Sequence, residues 1–296
     1  MTQRLKRGVV KVWAAGMLGL VATGGASGAV VFANGGAPGD AFTNAGGTNQ
    51  GQAVGATGWY YNNVRNSGVA GINTDYARSG NGSANLTTTI GPGGASSKAD
   101  IEYLANAVQF NGNWFANGSL GSFSALTGMQ YDWYRNSSST NNSDQHPAMR
   151  VLLDLDGNLA TTGDRGGLVF ERAYNVGGVV PTDTWVTESI GATSKLWNFG
   201  LGLGTEFDID GDGTPYDTLA EWQASGRMAN AVILGFSVGV GSGWGPFDGA
   251  ADNVGWTIAS QSATSNFEVS SVPEPGTLAL LGLSLVGMGF ARRRKQ

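Results

Sequence analysis

The chain reads Met149-Arg150-Val151-Leu152-Leu153-Asp154-Leu155-Asp156-Gly157 at the point where its fold is easiest to infer. A short apolar run that ends in an Asp-Gly pair is typical of a strand entering a tight turn. Residues 167–174 form the next apolar run, at a spacing that suits an antiparallel neighbour. We therefore predict two adjacent antiparallel strands in this part of the chain.

Short runs of the same kind continue on both sides of this pair. Glycine accounts for 49 of the 296 residues without a fixed period, which excludes collagen-like and repeat architectures. One short helix is predicted over residues 218–228, with Leu219, Trp222 and Met228 on one face. The predicted strands cover residues 59–64, 84–90, 99–110, 128–134, 185–190, 231–240 and 252–258. This pattern predicts an all-β fold, an antiparallel β-sandwich.

The N-terminus has the layout of a secretory signal peptide. Arg4, Lys6, Arg7 and Lys11 precede an apolar segment over residues 12–22, and small residues follow. Cleavage could follow Gly28 or Ala33, and we favour Ala33, which makes residues 1–33 the leader. An uncleaved signal anchor is the alternative, although the apolar segment is short for one.

The C-terminus combines a proline motif, an apolar run and a basic cluster. Pro273 and Pro275 favour an extended backbone before the run, which covers roughly 20 Å as a helix, short of the roughly 30 Å core of a bilayer. The basic end favours the cytoplasmic side of the membrane. The predicted motif and cluster comprise Val272, Pro273, Glu274, Pro275, Arg292, Arg293 and Arg294, and the predicted membrane helix includes Leu278, Leu280, Leu281, Leu283, Leu285, Val286 and Phe290.

This order of parts over residues 272–296 resembles the PEP-CTERM sorting signal of Gram-negative bacteria that produce exopolysaccharide. The resemblance implies export by the secretion machinery, transient anchoring in the inner membrane, and recognition by a membrane-embedded exosortase. The protein would then reach the cell surface or the extracellular matrix. The alternative is an ordinary tail anchor with a fortuitous Pro-Glu-Pro.

Between the two ends we predict a β-sandwich domain over residues 34–260, with a loose entry before residue 59, and a polar linker over residues 261–271. Setting aside four basic residues in the leader, and four basic and one acidic residue in the tail, leaves 9 basic and 21 acidic residues. Such a surface repels nucleic acid and can attract divalent cations. The chain has no cysteine, which excludes disulfides and thiolate sites.

The late Gly-Trp loop, followed by Asp252-Asn253-Val254, resembles the jelly-roll sandwiches of carbohydrate-binding modules and concanavalin-like lectins. That resemblance implies an extracellular polysaccharide ligand. Trp59, Trp133 and Trp244 are the candidate glycan-binding residues, since indole faces stack on sugar rings. Packing in or beside the core is the alternative for the first two, whereas Trp244 is expected to be exposed.

Alternating carboxylates at Asp208, Asp210 and Asp212, with Asp217 after them, predict a Ca²⁺ site. The match to a helix-flanked calcium loop is incomplete, because its twelfth position is Leu219. The alternative is a plain turn that caps the following helix. Asp252-Asn253 is a second candidate for Ca²⁺, against an interpretation as local turn hydrogen bonds.

Two pairs of carboxylates could support glycoside hydrolysis. Asp100 and Glu102, like Asp154 and Asp156, lie two residues apart and would share a strand face about 7 Å apart. His146 lies in a polar loop and is expected to be solvated. The Glu-x-Asp-x-x-Glu pattern of lectin-fold glycosidases and phosphate-binding loops are both absent from the sequence.

We therefore predict a non-catalytic surface or matrix protein that is glycan-associated or structural, in exopolysaccharide or biofilm. The alternative is a secreted glycan-active hydrolase on the same fold. A purely structural matrix component without glycan affinity is the third interpretation.

Overall fold

A computed structural model describes residues 27–90, 96–243 and 245–270. The leader up to residue 26, the sorting signal, the predicted membrane helix and Trp244 lie outside the described residues. Within the described ranges, no helix is long and apolar enough to cross a membrane. The structure there consists mainly of β-strands.

The strands, numbered in chain order, are β1 (Ser27–Gly36), β2 (Phe42–Asn44), β3 (Gln50–Ala53), β4 (Trp59–Arg65), β5 (Gly68–Asn73), β6 (Ser83–Thr88), β7 (Lys98–Leu104), β8 (Val108–Phe110), β9 (Asn113–Phe115), β10 (Gly121–Ser122), β11 (Leu126–Arg135), β12 (Ala148–Asp154), β13 (Arg165–Phe170), β14 (Trp185–Ile190), β15 (Lys195–Gly200), β16 (Asp217–Thr218), β17 (Val232–Gly241), β18 (Phe247–Ile258) and β19 (Gln261–Ser270). The helix α1 spans Leu219–Ala224.

The strands form two large sheets. Sheet 1 has the order β16-β15-β13-β12-β17-β7-β4-β3, and β10 also pairs with β17. Sheet 2 has the order β1-β19-β18-β6-β5-β2, and β11 pairs with both β18 and β14. Strands β8 and β9 form a separate hairpin. Pairing is antiparallel except between β1 and β19, which run parallel.

Aromatic side chains from both sheets meet in the core. Trp59 of sheet 1 contacts Phe267 of sheet 2 edge to face, with ring centroids 5.0 Å apart, and Phe236 stacks on Trp256 at 4.4 Å. The indole nitrogen Nε1 of Trp59 donates to Ser265 Oγ at 3.0 Å. The two sheets therefore pack face to face, and the predicted antiparallel β-sandwich is confirmed.

The predicted pair of antiparallel strands on either side of the Asp156-Gly157 turn is present. Strand β12 pairs antiparallel with β13 from Met149↔Phe170 to Asp154↔Arg165. The predicted strand over residues 99–110 is divided between β7 and β8. The predicted helix is shorter than expected: α1 is followed by a 3₁₀ turn at Gly226–Met228. Thr218 caps α1 in a reciprocal capping box with Glu221, which accounts for its start.

The predicted linker over residues 261–271 is wrong for the described part, because residues 261–270 form strand β19. Its polar residues alternate with Phe267 and Val269, which are buried in the core. The sandwich also begins before residue 34, because β1 spans Ser27–Gly36 and Val31 lies in the core. The cleavage point after Ala33, which would divide β1, stays a prediction. The segment over residues 34–58, expected to be loose, contains β2 and β3.

Candidate functional site

A cleft of about 520 Å³ lies on the face of sheet 1 that points away from the core. Strand β7 shows how it forms: Ala99 and Ile101 enter the core, while the alternate residues Lys98, Asp100 and Glu102 line the cleft. Its other lining residues include Asn62, Asn63, Arg65, Trp114, Phe115, Arg150, Arg165, Glu171, Trp197 and Phe199.

Two asparagines connect the carboxylates at the cleft floor. Asn62 Nδ2 donates to Glu102 Oε2 at 2.6 Å. Asn63 Nδ2 donates both to Asp100 Oδ2 at 3.1 Å and to Glu102 Oε1 at 2.9 Å. Because one nitrogen serves both, these two carboxylate oxygens are at most about 6 Å apart. The predicted shared face of Asp100 and Glu102 is therefore observed.

Asp100 has two cationic neighbours. Lys98 Nζ lies 2.8 Å from Asp100 Oδ2, and Arg150 Nη1 lies 3.1 Å from Oδ1. Gly239, on the adjacent strand β17, makes room for this pair: a Cβ there would lie 1.7 Å from Asp100 Oδ1 and 2.8 Å from Arg150 Nη1. A side chain at position 239 is thus excluded by the ion pair.

The surroundings of Asp100 and Glu102 give the two carboxyl groups different protonation behaviour. Burial, followed by the nearby charge of Asp100, raises the pKa of Glu102 to about 7. Burial also lowers the pKa of Lys98, although Asp100 opposes that effect. The cleft therefore holds a paired Asp100 carboxylate beside a Glu102 that binds a proton near neutral pH.

Half-buried aromatic side chains flank this polar floor. Trp114, on β9, packs against Tyr60 with ring centroids 4.5 Å apart. On β15, Trp197 Nε1 donates to Glu171 Oε2 at 3.2 Å, and Phe199 lies two residues further along the strand. Indole and phenyl faces next to polar groups are typical of surfaces that bind sugars.

Two of the three aromatic candidates named from the sequence do not line this cleft. Trp59 and Trp133 are both buried, with exposed fractions of 1% and 0%. Trp133 Nε1 donates to Glu188 Oε1 at 3.3 Å. Both side chains fill the interior, as the alternative of core packing predicts, and neither is available to stack on a glycan.

His146 is also placed differently from the prediction. It is buried, its ring stacks on Trp133 with centroids 4.5 Å apart, and its Nε2 accepts a hydrogen bond from Arg172 N at 3.0 Å. Burial lowers its pKa to about 3, so the ring is neutral at ordinary pH. The expected solvated loop residue is therefore a structural one.

The structure brings together three of the four predicted calcium ligands. Carboxylate oxygens of Asp208, Asp210 and Asp217 lie within 4.8 Å of one another, whereas Asp212 is outside the group. Asp208 accepts hydrogen bonds from Gly211 N at 2.6 Å and Gly213 N at 2.7 Å. These bonds lower the Asp208 pKa. The loop thus also has the features of the alternative, a hydrogen-bonded turn.

Asp252 is buried in sheet 2. Its Oδ1 accepts from Phe267 N at 2.8 Å, its Oδ2 has no hydrogen-bond partner, and burial raises its pKa to about 7. Asn253 has φ of 50° and donates to Asp132 Oδ2 at 2.8 Å. The pair lies within β18 and bonds residues of the distant strands β19 and β11, so the interpretation as local turn hydrogen bonds is wrong. Calcium binding at this position stays a prediction.

Sequence reasoning missed several cleft residues, notably Lys98, Trp114, Arg150, Glu171 and Trp197. A signal was present on β7 and β12, where Lys-x-Asp-x-Glu and a lone arginine interrupt apolar strands at alternate positions. The tryptophans carried no such signal, because nothing in their local sequence indicates which face of the sheet they occupy.

Two solved structures show a limited similarity to this chain. A solved structure described as "Structural basis for the promiscuous specificity of the carbohydrate-binding modules from the beta-sandwich super family" is 14% identical, with TM-score 0.31, over 71% of this chain. The chain covers 56% of that structure. "Cellulose induced protein, Cip1" is 16% identical with TM-score 0.30, over 69% of this chain and 88% of that one. The β-sandwich is established here by the strand pairing itself.

No curated protein matches the chain. A family model described as the PEP-CTERM protein-sorting motif matches residues 271–295. The predicted sorting motif is thereby confirmed. The protein carries a PEP-CTERM sorting motif C-terminal to its β-sandwich domain, and this motif indicates an exported, exosortase-processed protein.

Proposed function

We propose that this protein is a surface or matrix component whose domain binds an extracellular glycan in the cleft of sheet 1 without cleaving it. The single observation that carries the proposal is the composition of that cleft. Half-buried Trp114, Trp197 and Phe199 flank a floor of amides and charged groups. A saccharide needs both kinds of contact, because its ring faces are apolar and its hydroxyls are polar.

The polar floor is already ordered before any ligand binds. Asn62 and Asn63 are fixed by their bonds to Glu102 and Asp100, and Asn62 Oδ1 also accepts from Trp114 N at 3.0 Å. That last bond ties the floor to an aromatic wall. A preorganised site loses little conformational entropy when it binds, which favours a specific ligand over a loose surface contact.

The test is titration of the purified protein with exopolysaccharide from the producing bacterium, followed by a glycan array. We expect saturable binding that Trp197→Ala weakens. Trp185→Ala is the matched control, since Trp185 is a half-buried tryptophan on β14 of sheet 2, outside the cleft. Equal loss of binding in both variants, or no binding by the parent protein, would contradict the proposal.

A second candidate function, glycoside hydrolysis, is favoured by one specific observation. Asp100 and Glu102 have oxygens at most about 6 Å apart, and the raised pKa of Glu102 suits a general acid. Retaining glycosidases place their two carboxyl groups about 5–5.5 Å apart. In that function Glu102 would protonate the leaving oxygen and Asp100 would attack the anomeric carbon.

Release of reducing sugar from the same polysaccharide separates the two functions. Hydrolysis predicts release that falls at least about 100-fold in Glu102→Gln, consistent with loss of a general acid. Glu206→Gln, a change at an exposed glutamate outside the cleft, is the control. Binding without any release supports the non-catalytic function.

The sorting part of the proposal is tested separately. Replacing Arg292, Arg293 and Arg294 with neutral residues should disturb processing and retention of the protein, because the basic cluster orients the apolar run in the membrane. Immunoblots of cell and medium fractions report the outcome. Normal processing of that variant would count against exosortase-dependent sorting.

A further inference from the structure

The loop between β12 and β13 gathers three carboxylates at one end of sheet 1. Oxygens of Asp154, Asp156 and Asp164 lie within 4.8 Å of one another. Asp154 ends β12, Asp156 is exposed in the turn, and Asp164 is half-buried just before β13. An acidic cluster alone does not define a metal site, since exposed carboxylates gather without ligands.

A second observation concerns Asp154 itself. The residue is fully buried, its Oδ2 accepts from Arg165 Nε at 3.2 Å, and its Oδ1 is buried without a hydrogen-bond partner. Leaving a buried acceptor unpaired costs free energy. A bound cation would supply that partner.

The loop over residues 208–217 differs on this point. Asp208 accepts two backbone N–H groups, and Asp217 Oδ2 accepts from Ile209 N at 3.0 Å. Among the described residues, the buried oxygens without a partner include one of Asp154 and none of that loop. Of the two acidic clusters, the β12–β13 loop is therefore the one with an unmet need for a ligand.

We propose that Asp154, Asp156 and Asp164 bind a Ca²⁺ ion. Carboxylate oxygens are hard ligands, and Ca²⁺ accepts irregular arrangements that include water, whereas Mg²⁺ demands near-ideal octahedral geometry. Arg165 neutralises part of the charge and leaves the cluster anionic. The exposed side of Asp156 gives the ion a route from solvent and leaves room for water ligands.

The ion would also stabilise one wall of the cleft. Arg165, which bonds Asp154, donates from Nη1 to Ala116 O at 3.0 Å and from Nη2 to Leu159 O at 2.9 Å. Ala116 follows the β8–β9 hairpin, and both it and Arg165 line the cleft. Calcium binding in the loop thus fixes the residues that hold Arg165 against this wall.

The experiment is calorimetric titration of Ca²⁺ into the full-length chain, purified in mild detergent and stripped of metal. Asp156→Asn and Asp164→Asn each test the site without changing the buried Asp154. We expect each to weaken binding at this site at least tenfold and to reduce the calcium-dependent rise in unfolding temperature. Asp75→Asn, at an exposed aspartate outside both clusters, removes the same charge and should change neither.

Three results would overturn the proposal. They are no heat of binding in the parent protein at millimolar Ca²⁺, unchanged binding in both loop variants, or a loss in Asp75→Asn as large as in the loop variants. If Asp208→Asn abolishes all binding while Asp156→Asn leaves it intact, the ion belongs to the other loop and this site is excluded.

Discussion

The two faces of sheet 1 are built from the same strands and have opposite chemistry. On β7, Ala99 and Ile101 join a dry core with Trp59 and Phe236, whereas Asp100 and Glu102 form a charged network open to the cleft. Strand β12 repeats the pattern, with Val151 inside and Arg150 outside. The core face determines whether the domain folds, and the cleft face determines what it can bind.

This difference predicts that equal substitutions on the two faces have unequal effects. A large side chain removed from the core leaves a cavity between the sheets. Truncating a large side chain in the cleft leaves no such cavity, because that surface is already partly exposed to solvent.

The largest effect is expected for Trp59→Ala. Trp59 is 1% exposed, contacts Phe267 and Trp256, and donates to Ser265, so its loss should cost about 3–5 kcal/mol of unfolding free energy. Denaturant unfolding measures this cost. Trp197→Ala, on the cleft face, is the matched comparison, with an expected loss of about 1 kcal/mol or less. Similar losses in the two variants would break the contrast between the faces.

Asp252→Asn tests a carboxyl group that is buried in sheet 2 and does not line the cleft. Its pKa is about 7 in the folded protein against an ordinary 3.8, so the native state binds the proton more tightly than the unfolded chain does. The free energy of unfolding of the parent protein should therefore fall as pH rises from about 4 to about 7. Asparagine should remove a part of this fall on the order of a few kcal/mol. Stability curves against pH measure it, and parallel curves would contradict the argument.

Glu102→Gln makes the same test on the cleft face. Its pKa of about 7, raised from 4.5, predicts stability that falls as pH rises between those values. We expect a flatter curve in the variant and a smaller change than for Asp252, because Asn62 and Lys98 stabilise the Glu102 anion. Glu206→Gln should leave the curve of the parent protein unchanged. If the unfolding free energy of Glu102→Gln depends on pH as steeply as that of the parent protein, a group other than Glu102 causes the pH dependence.

The smallest effect concerns ligand affinity in Trp197→Phe. A phenyl ring keeps a stacking face but loses area and the Nε1 bond to Glu171, so we expect affinity for a bound glycan to fall about two- to tenfold. Calorimetry measures the change at constant stability. A loss equal to that of Trp197→Ala would show that the hydrogen bond, not the aromatic face, sets the affinity.

The fold class followed from the sequence wherever strands were bounded by turn residues and long enough to show a pattern. Strands β12, β13 and β14 are examples, and so is the Thr218 capping box that starts α1. Short or polar strands were not predicted. Strand β19 has the composition of a polar linker, because only alternate residues such as Phe267 enter the core. Its assignment depends on pairing with β1 and β18, which local sequence does not encode.

The candidate site was predictable only in part. Spacing alone placed Asp100 and Glu102 on one face, because side chains alternate along a strand. The partners that tune them come from other strands: Asn62 and Asn63 from β4, Arg150 from β12. His146 was misjudged for a similar reason, since the ring that covers it belongs to Trp133, on β11. Contacts between distant segments arise from topology, which the residue pattern does not contain.

The parallel pairing of β1 with β19 also bears on the timing of export. The first described strand must wait for residues 261–270, the last described strand, before its sheet is complete. Closing so long a loop is slow compared with local hairpin formation. A chain that crosses the membrane from its N-terminus therefore delivers β19, immediately followed by the sorting motif, only at the end of translocation. Final assembly of the domain and emergence of its sorting motif are thereby nearly simultaneous.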